Sequence, residues 1–294
     1  MNGIGTLRRT RGLLDEADLH LKKGLGQNFL VDGNYLRKIA AAGQLDRQTA
    51  VLEIGPGIGS LTEFLAEKAG KVVAIEIDGR LLPLLQQAFE DCPHVEWVHA
   101  DVLKLDLEAL ESDRLAGYER WGVVSNLPYY ITTPILTRLL LSPLHYDFMV
   151  VMMQKEVAQR IGASPGGKEY SSLSVLAQFF CEVSRVCEVP PGAFYPPPKV
   201  VSQVLLLRRR HQPVVSVNSQ TFFFELVRAA FAQRRKTIMN NLLHRYRELN
   251  RQELQEVLAD AGIDPGRRGE TLSLEEFAML SNRIQAIVEH RLNQ

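Results

Sequence analysis

Four short segments carry residue types that could act together on one ligand. The first, Val51-Leu52-Glu53-Ile54-Gly55-Pro56-Gly57-Ile58-Gly59-Ser60, is an apolar run that enters a glycine-rich turn and then a helical pattern. Glycines at such a turn let the backbone bend tightly and approach a ligand closely. Alone, the pattern suits nicotinamide, flavin and methyl-donor cofactors alike, and Ser60 stands where the dinucleotide fingerprint has Gly or Ala. The second is Glu76, 21 residues after Gly55 and at the end of the next apolar run. An acid at that spacing accepts hydrogen bonds from ribose hydroxyls, whereas its neighbour Asp78 reads as a turn or cap residue. The third is Asp101, in Ala100-Asp101-Val102, where a carboxylate could accept from the adenine amine of a nucleoside cofactor. Each acid taken singly is more often a helix cap. Three consecutive strand ends bearing Gly or acid point instead to a ligand along the carboxyl edge of an open sheet.

The fourth segment, Ser125-Asn126-Leu127-Pro128-Tyr129-Tyr130, follows another apolar run and falls on that same edge. Its residues suit an amine substrate. An adenine exocyclic amine is a poor nucleophile because its lone pair delocalises into the ring, and acceptors on its two hydrogens would draw it toward tetrahedral geometry. The Asn126 side-chain oxygen and a main-chain carbonyl held out by Pro128 could supply them, aiming the lone pair at an electrophilic methyl. Tyr129 offers a face for a stacked base, a contact worth roughly 1–3 kcal/mol. Asn and Pro also favour plain turns, and it is the company of the other three segments that favours chemistry.

These segments need a scaffold, and the apolar pattern describes one. Ala50–Ile54, Val72–Ile77, Val95–Ala100, Val123–Ser125 and Phe148–Met153 are short, β-branched apolar runs, with helical patterns such as Ser60–Ala69 and Arg80–Glu90 between them. That alternation predicts an α/β fold, a parallel sheet with helices on both faces. Leu173–Phe180 reads as a helix, and Val183–Val189 and Val201–Leu207 as two later strands, a possible hairpin at one edge. After Arg210 the pattern becomes helical, over Gln220–Phe231, Thr237–Tyr246, Arg251–Ala261 and Leu274–Leu292. In the last, Leu274, Phe277, Leu280, Ile284, Ile287 and Val288 share one face, and Ser273 with Glu276 forms a capping box. The expected organisation is an N-terminal extension over residues 1–21, a Rossmann-like catalytic domain over 22–211 and a small all-α domain over 212–294.

Composition narrows the function. The 294 residues carry 34 Lys+Arg and 34 Asp+Glu, so the net charge is zero, and 46% are hydrophobic, as in an ordinary globular protein. No apolar run reaches about 18 residues, so no membrane span is expected, and the first 23 residues lack the apolar core of a secretory signal. Cys92, Cys181 and Cys187 form no CxxC pair, and the seven histidines form no ligand pattern; no metal site is expected. The charge is segregated: Val51 to Asp113 holds 13 acids against 4 bases, and Leu205 to Asn250 holds 9 bases against 2 acids. The basic part suits an anionic partner. Gly162–Lys168 has P-loop spacing, but Glu169 follows where Ser or Thr should hold magnesium, so nucleotide hydrolysis is not expected.

With these residues in view, the chain resembles the ribosomal RNA adenine dimethyltransferases of the KsgA type, within the class I S-adenosylmethionine methyltransferases. The resemblance runs from about Leu25 to Asn282, over Leu25-Gly-Gln-Asn-Phe-Leu30, Glu53-Ile-Gly-Pro-Gly-Ile-Gly59, Glu76-Ile-Asp78, Asn126-Leu-Pro-Tyr-Tyr130, Gln154-Lys-Glu-Val-Ala158, Phe194-Tyr-Pro-Pro-Pro-Lys-Val200, Phe231-Ala-Gln-Arg-Arg-Lys236 and Arg267-Arg-Gly-Glu-Thr-Leu-Ser273. It implies that Asn28 and Leu30 close over the methionine end of S-adenosylmethionine, that Gly55 passes close to the cofactor, and that Glu76 holds its ribose and Asp101 its adenine amine. It implies that Asn126 positions the target amine, helped by Leu127 and Pro128, and that Tyr129 and Phe194 sandwich the target adenine. The implied reaction is N6,N6-dimethylation of two adjacent adenosines near the 3′ end of 16S rRNA in the assembling small ribosomal subunit, by a cytoplasmic monomer. Arg234, Arg235, Lys236, Arg267 and Arg268 would contact RNA phosphates, which position without reading sequence. Val201 stands where the family often has Asp, so the loop before Ser202 must be braced by something else. The alternatives are an Erm-type large-subunit rRNA methyltransferase, against which the Arg267–Ser273 segment argues, a non-catalytic assembly or transcription factor, and a nicotinamide-dependent oxidoreductase.

Overall fold

Side chains along a strand alternate between the two faces of a sheet, so a strand buried at every position must be covered on both sides. Thr49–Ile54 is buried throughout, and Phe148–Gln154 at all but its last residue. The structure, a computed structural model, describes residues 3–16 and 27–292. Its first half contains α1 (Leu7–Glu16), β1 (Phe29–Leu30), α2 (Gly33–Ala42), β2 (Thr49–Ile54), α3 (Ser60–Ala66), β3 (Lys71–Glu76), α4 (Leu82–Ala88), β4 (Val95–His99), α5 (Leu107–Arg114), β5 (Arg120–Asn126) and α6 (Thr132–Leu141). There follow β6 (Phe148–Gln154), α7 (Lys155–Ile161), α8 (Ser172–Phe180), β7 (Cys181–Val189), β8 (Phe194–Tyr195), β9 (Ser202–Arg209), α9 (Gln220–Ala230), α10 (Ile238–Arg245), α11 (Arg251–Asp260) and α12 (Leu274–Leu292).

Seven strands form one sheet in the order β4-β3-β2-β5-β6-β9-β7. From β4 to β6 every pair is parallel, and β9 runs antiparallel to β6. The sheet is therefore mixed, with the two late strands at one edge as the sequence pattern suggests. The chain steps from β2 to β3 and β4 on one side, then returns to β5 and β6 on the other. That reversal opens a crevice at the carboxyl ends of β2 and β5, where ligands of open α/β sheets bind. A second ladder pairs β1 with β8, Leu30 opposite Phe194.

Two compact units can be described separately. Residues 1–158 and 182–209 make the first, and 159–181 and 210–294 the second. Residues 159–181 group with the C-terminal helices rather than with the sheet. The reason is α8, which is too apolar for a solvent-facing helix: Leu173, Val175, Leu176, Ala177, Phe179 and Phe180 are all buried. Phe179 and Phe180 stack edge-on, 4.9 Å apart, and lie 5.1 Å and 5.6 Å from Phe223 and Phe224 of α9. In this unit Arg267 reaches Glu276, with Nη2 donating to Oε2 at 2.9 Å, and the Glu276 carboxylate also accepts from the Ser273 N–H at 2.7 Å, starting α12 with the expected box. The P-loop-like segment is a turn whose Gly166 N–H donates to the Glu270 carbonyl at 2.7 Å.

The expected N-terminal extension is partly structured. The N–H groups of Gly3 and Ile4 donate to the two oxygens of the buried Glu63 carboxylate on α3, at 3.0 and 2.9 Å, and Ile4 and Leu13 join the core of the first unit. Residues 1–2 and 17–26, with Leu25 and Gly26 of the first matching stretch, lie outside the described residues.

Candidate active site

The crevice is a partly open cleft in the first unit, and the strand ends that bound it carry the residues singled out above. After β2 the backbone turns through Gly55, Gly57 and Gly59 with φ of 71°, 60° and 86°, a left-handed conformation that glycine adopts without steric cost. A Cβ at Gly57 would meet the Phe29 ring at 2.7 Å. The turn thus brings bare backbone against the cleft.

Glu76 ends β3 almost fully buried, its oxygens accepting from the Gly57 N–H at 3.2 Å and the Asp78 N–H at 2.8 Å. Burial pushes its carboxyl above the ordinary range, opposed by those N–H bonds. Asp78 is a turn residue: its oxygens accept from Arg80 Nε at 2.9 Å and Nη2 at 2.6 Å, and from Gln27 Nε2 at 3.2 Å. Asp101 lies on the cleft wall just past β4, one oxygen accepting from the Leu103 N–H at 2.9 Å and the other 3.8 Å from Lys104 Nζ.

Asn126 closes β5. Its Nδ2 donates to the Asn28 carbonyl at 3.4 Å, while its Oδ1 is buried without any hydrogen-bond partner. The next peptide is held by the Leu127 N–H, which donates to the Met152 carbonyl of β6 at 3.0 Å. The Pro128 carbonyl is taken, accepting from the Ile131 N–H at 3.2 Å and the Thr132 hydroxyl at 2.9 Å. Among the described residues nothing donates to the Leu127 carbonyl, so this turn presents two vacant acceptors. Unpartnered buried oxygens are costly and uncommon, and an amine offers two hydrogens. Tyr129 is half-buried on the cleft wall, its hydroxyl bonded to that of Ser202.

Asn28, Leu30, Gly55, Glu76, Asp101, Asn126, Leu127, Pro128 and Tyr129 all line this one cleft. Phe194 does not. Its ring is 4% exposed and lies in the hydrophobic core, on β8 opposite Leu30, burying its area against other apolar groups. The basic residues stand apart in the second unit. Arg235, Lys236 and Arg268 are exposed with no side-chain partner among the described residues. Arg234 instead donates to the Lys168 carbonyl at 2.7 Å and pairs with Glu270 at 3.3 Å, and Arg267 is the partner of Glu276.

Sequence reasoning missed several wall residues. Ile77 and Tyr130, 45% and 50% exposed, are large apolar surfaces at the cleft; an isoleucine between two acids at a strand end was the available signal. Ser60, taken only as a departure from the dinucleotide fingerprint, has a buried hydroxyl without a partner on the cleft wall. Glu53 is also on the wall, fully buried, accepting from the Thr62 hydroxyl at 2.7 Å. Burial pushes its carboxyl up to about 8, helped by the nearby Glu76 charge and opposed by the Thr62 bond. The folded value exceeds the ordinary 4.5, so the native state holds the extra proton between the two and stability falls as pH rises through that window. Glu53→Gln is expected to flatten the decline, as measured by denaturant unfolding on either side of it.

The orphan oxygens of Asn126 and Ser60, the bare glycine backbone and the acids at successive strand ends fit a nucleoside-bearing cofactor with a polar amino-acid end. Among the described residues no group of three or more His, Cys, Asp or Glu could hold a metal, and no helix is long and apolar enough to cross a membrane.

The chain is similar to known proteins in sequence and fold. The family described as ribosomal RNA adenine dimethylase matches residues 19–286. The ribosomal RNA small subunit methyltransferase A of Geobacillus sp. (strain WCH70) is 49% identical over 287 residues, covering 97% of this chain and 99% of that protein. The protein of the same name from Bacillus mycoides (strain KBAB4) is 48% identical, with full coverage of both. The crystal structure of a dimethyladenosine transferase from Plasmodium falciparum aligns with a TM-score of 0.71 at 26% identity, covering 88% of this chain and 97% of that one. The 23S rRNA methyltransferase ErmE aligns at 0.66 and 29% identity, covering 87% and 99%. With its cleft, its strand-end acids and matches of this extent, the chain belongs to the ribosomal RNA adenine dimethylase family and is an S-adenosylmethionine-dependent methyltransferase.

Proposed function

We propose that this chain transfers two methyl groups to the N6 atom of each of two adjacent adenosines near the 3′ end of 16S rRNA, acting as a cytoplasmic monomer on the assembling small ribosomal subunit. The observation that carries the proposal is the buried, unpartnered Asn126 Oδ1 at the end of β5, beside an unoccupied Leu127 carbonyl. Two acceptors on one turn match the two hydrogens of an adenine amine. As they take those hydrogens, the nitrogen lone pair is released from the ring and turned out of its plane. S-adenosylmethionine, when bound, supplies an electrophilic methyl on its sulfonium. Glu76 and Asp101 would hold the nucleoside end of that donor, and Asn28, Leu30 and Ser60 its methionine end. No general base is needed before transfer, because the amine sheds its proton readily once it becomes cationic. The work of the protein is then positioning. Tyr129 supplies a face for the extruded base, as base-modifying enzymes commonly do. Phe194, opposite Leu30 in the β1–β8 ladder, is buried in the core and is not part of the cleft wall.

The exposed cations of the second unit supply phosphate contacts. Replacing Arg235 and Lys236 together by alanine is expected to weaken binding to small subunits and to reduce the slope of log affinity against log salt by about 1–2. Arg267→Ala should instead lower the stability of the second unit, because it leaves Glu276 without its partner. Filter binding across a salt series, with thermal unfolding alongside, separates the two.

The reaction itself is tested with tritiated S-adenosylmethionine and small subunits lacking adenine dimethylation, with large subunits and naked RNA in parallel. Label in dimethyladenosine of the small subunit alone is the expected result. Label in large-subunit RNA would favour the Erm-type alternative, and no label with the cofactor still bound a non-catalytic factor.

A further inference from the structure

The motif Asn126–Tyr129 is gauged from the sheet at both of its ends. Its main chain is tied to β6 by the Leu127 N–H and the Met152 carbonyl, 3.0 Å apart. The tip of its aromatic ring is tied to β9 by the hydrogen bond between the Tyr129 and Ser202 hydroxyls. Ser202 is fully buried and opens β9, where it stands opposite Gln154, the last residue of β6. One residue earlier, the Val201 carbonyl accepts from the Lys155 N–H at 3.0 Å. The Ser202 hydroxyl therefore has a position set by the ladder between two strands, and not by the proline-rich loop that precedes it. The loop end at Val201 and Ser202 is thus fixed by that backbone bond and by the hydroxyl pair.

We propose that Ser202 is a positioning residue, which holds the Tyr129 ring in the orientation that receives the target adenine. This rests on the reading of Tyr129 as the face on which that adenine stacks. A tyrosine ring with a free hydroxyl would rotate about two side-chain torsions, and a base landing on it would bear the entropy of ordering it. With both ends fixed, the ring is ordered before the substrate arrives. Either hydroxyl can donate in the pair, so the bond does not depend on one tautomer of its surroundings. The residues are 73 apart in sequence, and Ser202 itself does not line the cleft.

The test compares Ser202→Ala, Ser202→Thr, Tyr129→Phe, the Ser202→Ala/Tyr129→Phe double variant and Tyr129→Ala, in full-length protein with unmethylated small subunits. Ser202→Ala is expected to raise KM for subunits about tenfold, the scale of one lost hydrogen bond and one loosened side chain. Affinity for S-adenosylmethionine should stay unchanged, and Ser202→Thr should restore the wild-type KM. Tyr129→Phe should match Ser202→Ala, and the double variant should be no worse than either, because both remove the same bond. If Tyr129→Ala impairs transfer while Ser202→Ala leaves KM at the wild-type value, the positioning role is wrong and the stacking role stands. Equal losses of thermal stability and cofactor affinity in the alanine and threonine variants would make Ser202 merely structural and overturn the proposal. Wild-type kinetics for Tyr129→Ala would remove the stacking reading, and the positioning role with it.

Discussion

Asn126→Ala is expected to lower the single-turnover rate of methyl transfer by about 10²–10³-fold, the scale seen when one preorganised group is removed from an active site. The expectation follows from an asymmetry in the side chain. Its Nδ2 is occupied, donating to the Asn28 carbonyl, whereas its Oδ1 is buried with nothing to accept from. Folding alone gains nothing from that oxygen, since an unsatisfied buried acceptor destabilises the native state. Its value must come from a ligand. Alanine removes the acceptor, leaves the target amine conjugated with its ring, and spares Glu76 and Asp101. Cofactor affinity, measured by calorimetry, should therefore change by no more than about threefold, one modest hydrogen bond's worth. Asn126→Asp keeps an acceptor but gives up the donation to Asn28, and should retain more turnover than alanine. If Asn126→Ala turned over at close to the normal rate, positioning by the amide would be excluded.

The second large effect belongs to Glu76, and it falls on binding. Glu76→Ala should raise the Kd for S-adenosylmethionine by about 10²-fold, two charge-assisted hydrogen bonds to ribose hydroxyls being lost. The same carboxylate braces the glycine turn through the Gly57 N–H, so the variant loosens the cradle as well as removing the acceptor. Glu76→Gln keeps the shape and one acceptor and should lose less. Because burial raises the Glu76 carboxyl, acidification protonates it earlier than an exposed glutamate. Cofactor affinity in the wild type should fall as pH is lowered toward that raised value, and the Gln variant should lack this dependence. Equal cofactor affinity in Glu76→Ala and wild type would detach the acid from the ribose.

Much of this site can be read from sequence because the sheet itself writes it there. β2, β3 and β5 are buried on both faces, so they appear as largely apolar runs, and the residue at the end of each run emerges at the carboxyl edge. Gly55, Glu76 and Asn126 are such residues. Asp101 follows β4 in the same way, though β4 lies at the sheet edge and is less buried. The C-terminal helices are legible for a related reason, since each buries one stripe at helical spacing.

Other parts leave no such trace. α1 reads as a charged N-terminal stretch, and the bonds that hold Gly3 and Ile4 just before it come from Glu63, about sixty residues away, which is recognisable only in three dimensions. α8 looks like any apolar helix between sheet strands, and its allegiance to α9 follows from facing aromatic rings rather than from its own pattern. The resemblance assigns Phe194 to the substrate adenine, and that its ring lies in the core, on the strand opposite Leu30, is visible only in the fold. The Ser202 partner of Tyr129 and the vacancy at Asn126 Oδ1 are likewise properties of packing.

The central claim, that Asn126 presents a small-subunit adenine amine for double methylation, is tested most directly by nucleoside mass spectrometry of ribosomal RNA. A host strain lacking the modification would express this chain or its Asn126→Ala variant, and small- and large-subunit RNA would be digested separately. The account predicts N6,N6-dimethyladenosine in small-subunit RNA with the wild-type chain and its loss with the variant at equal protein level. Dimethyladenosine at wild-type abundance with Asn126→Ala, or its appearance in large-subunit RNA, would contradict it.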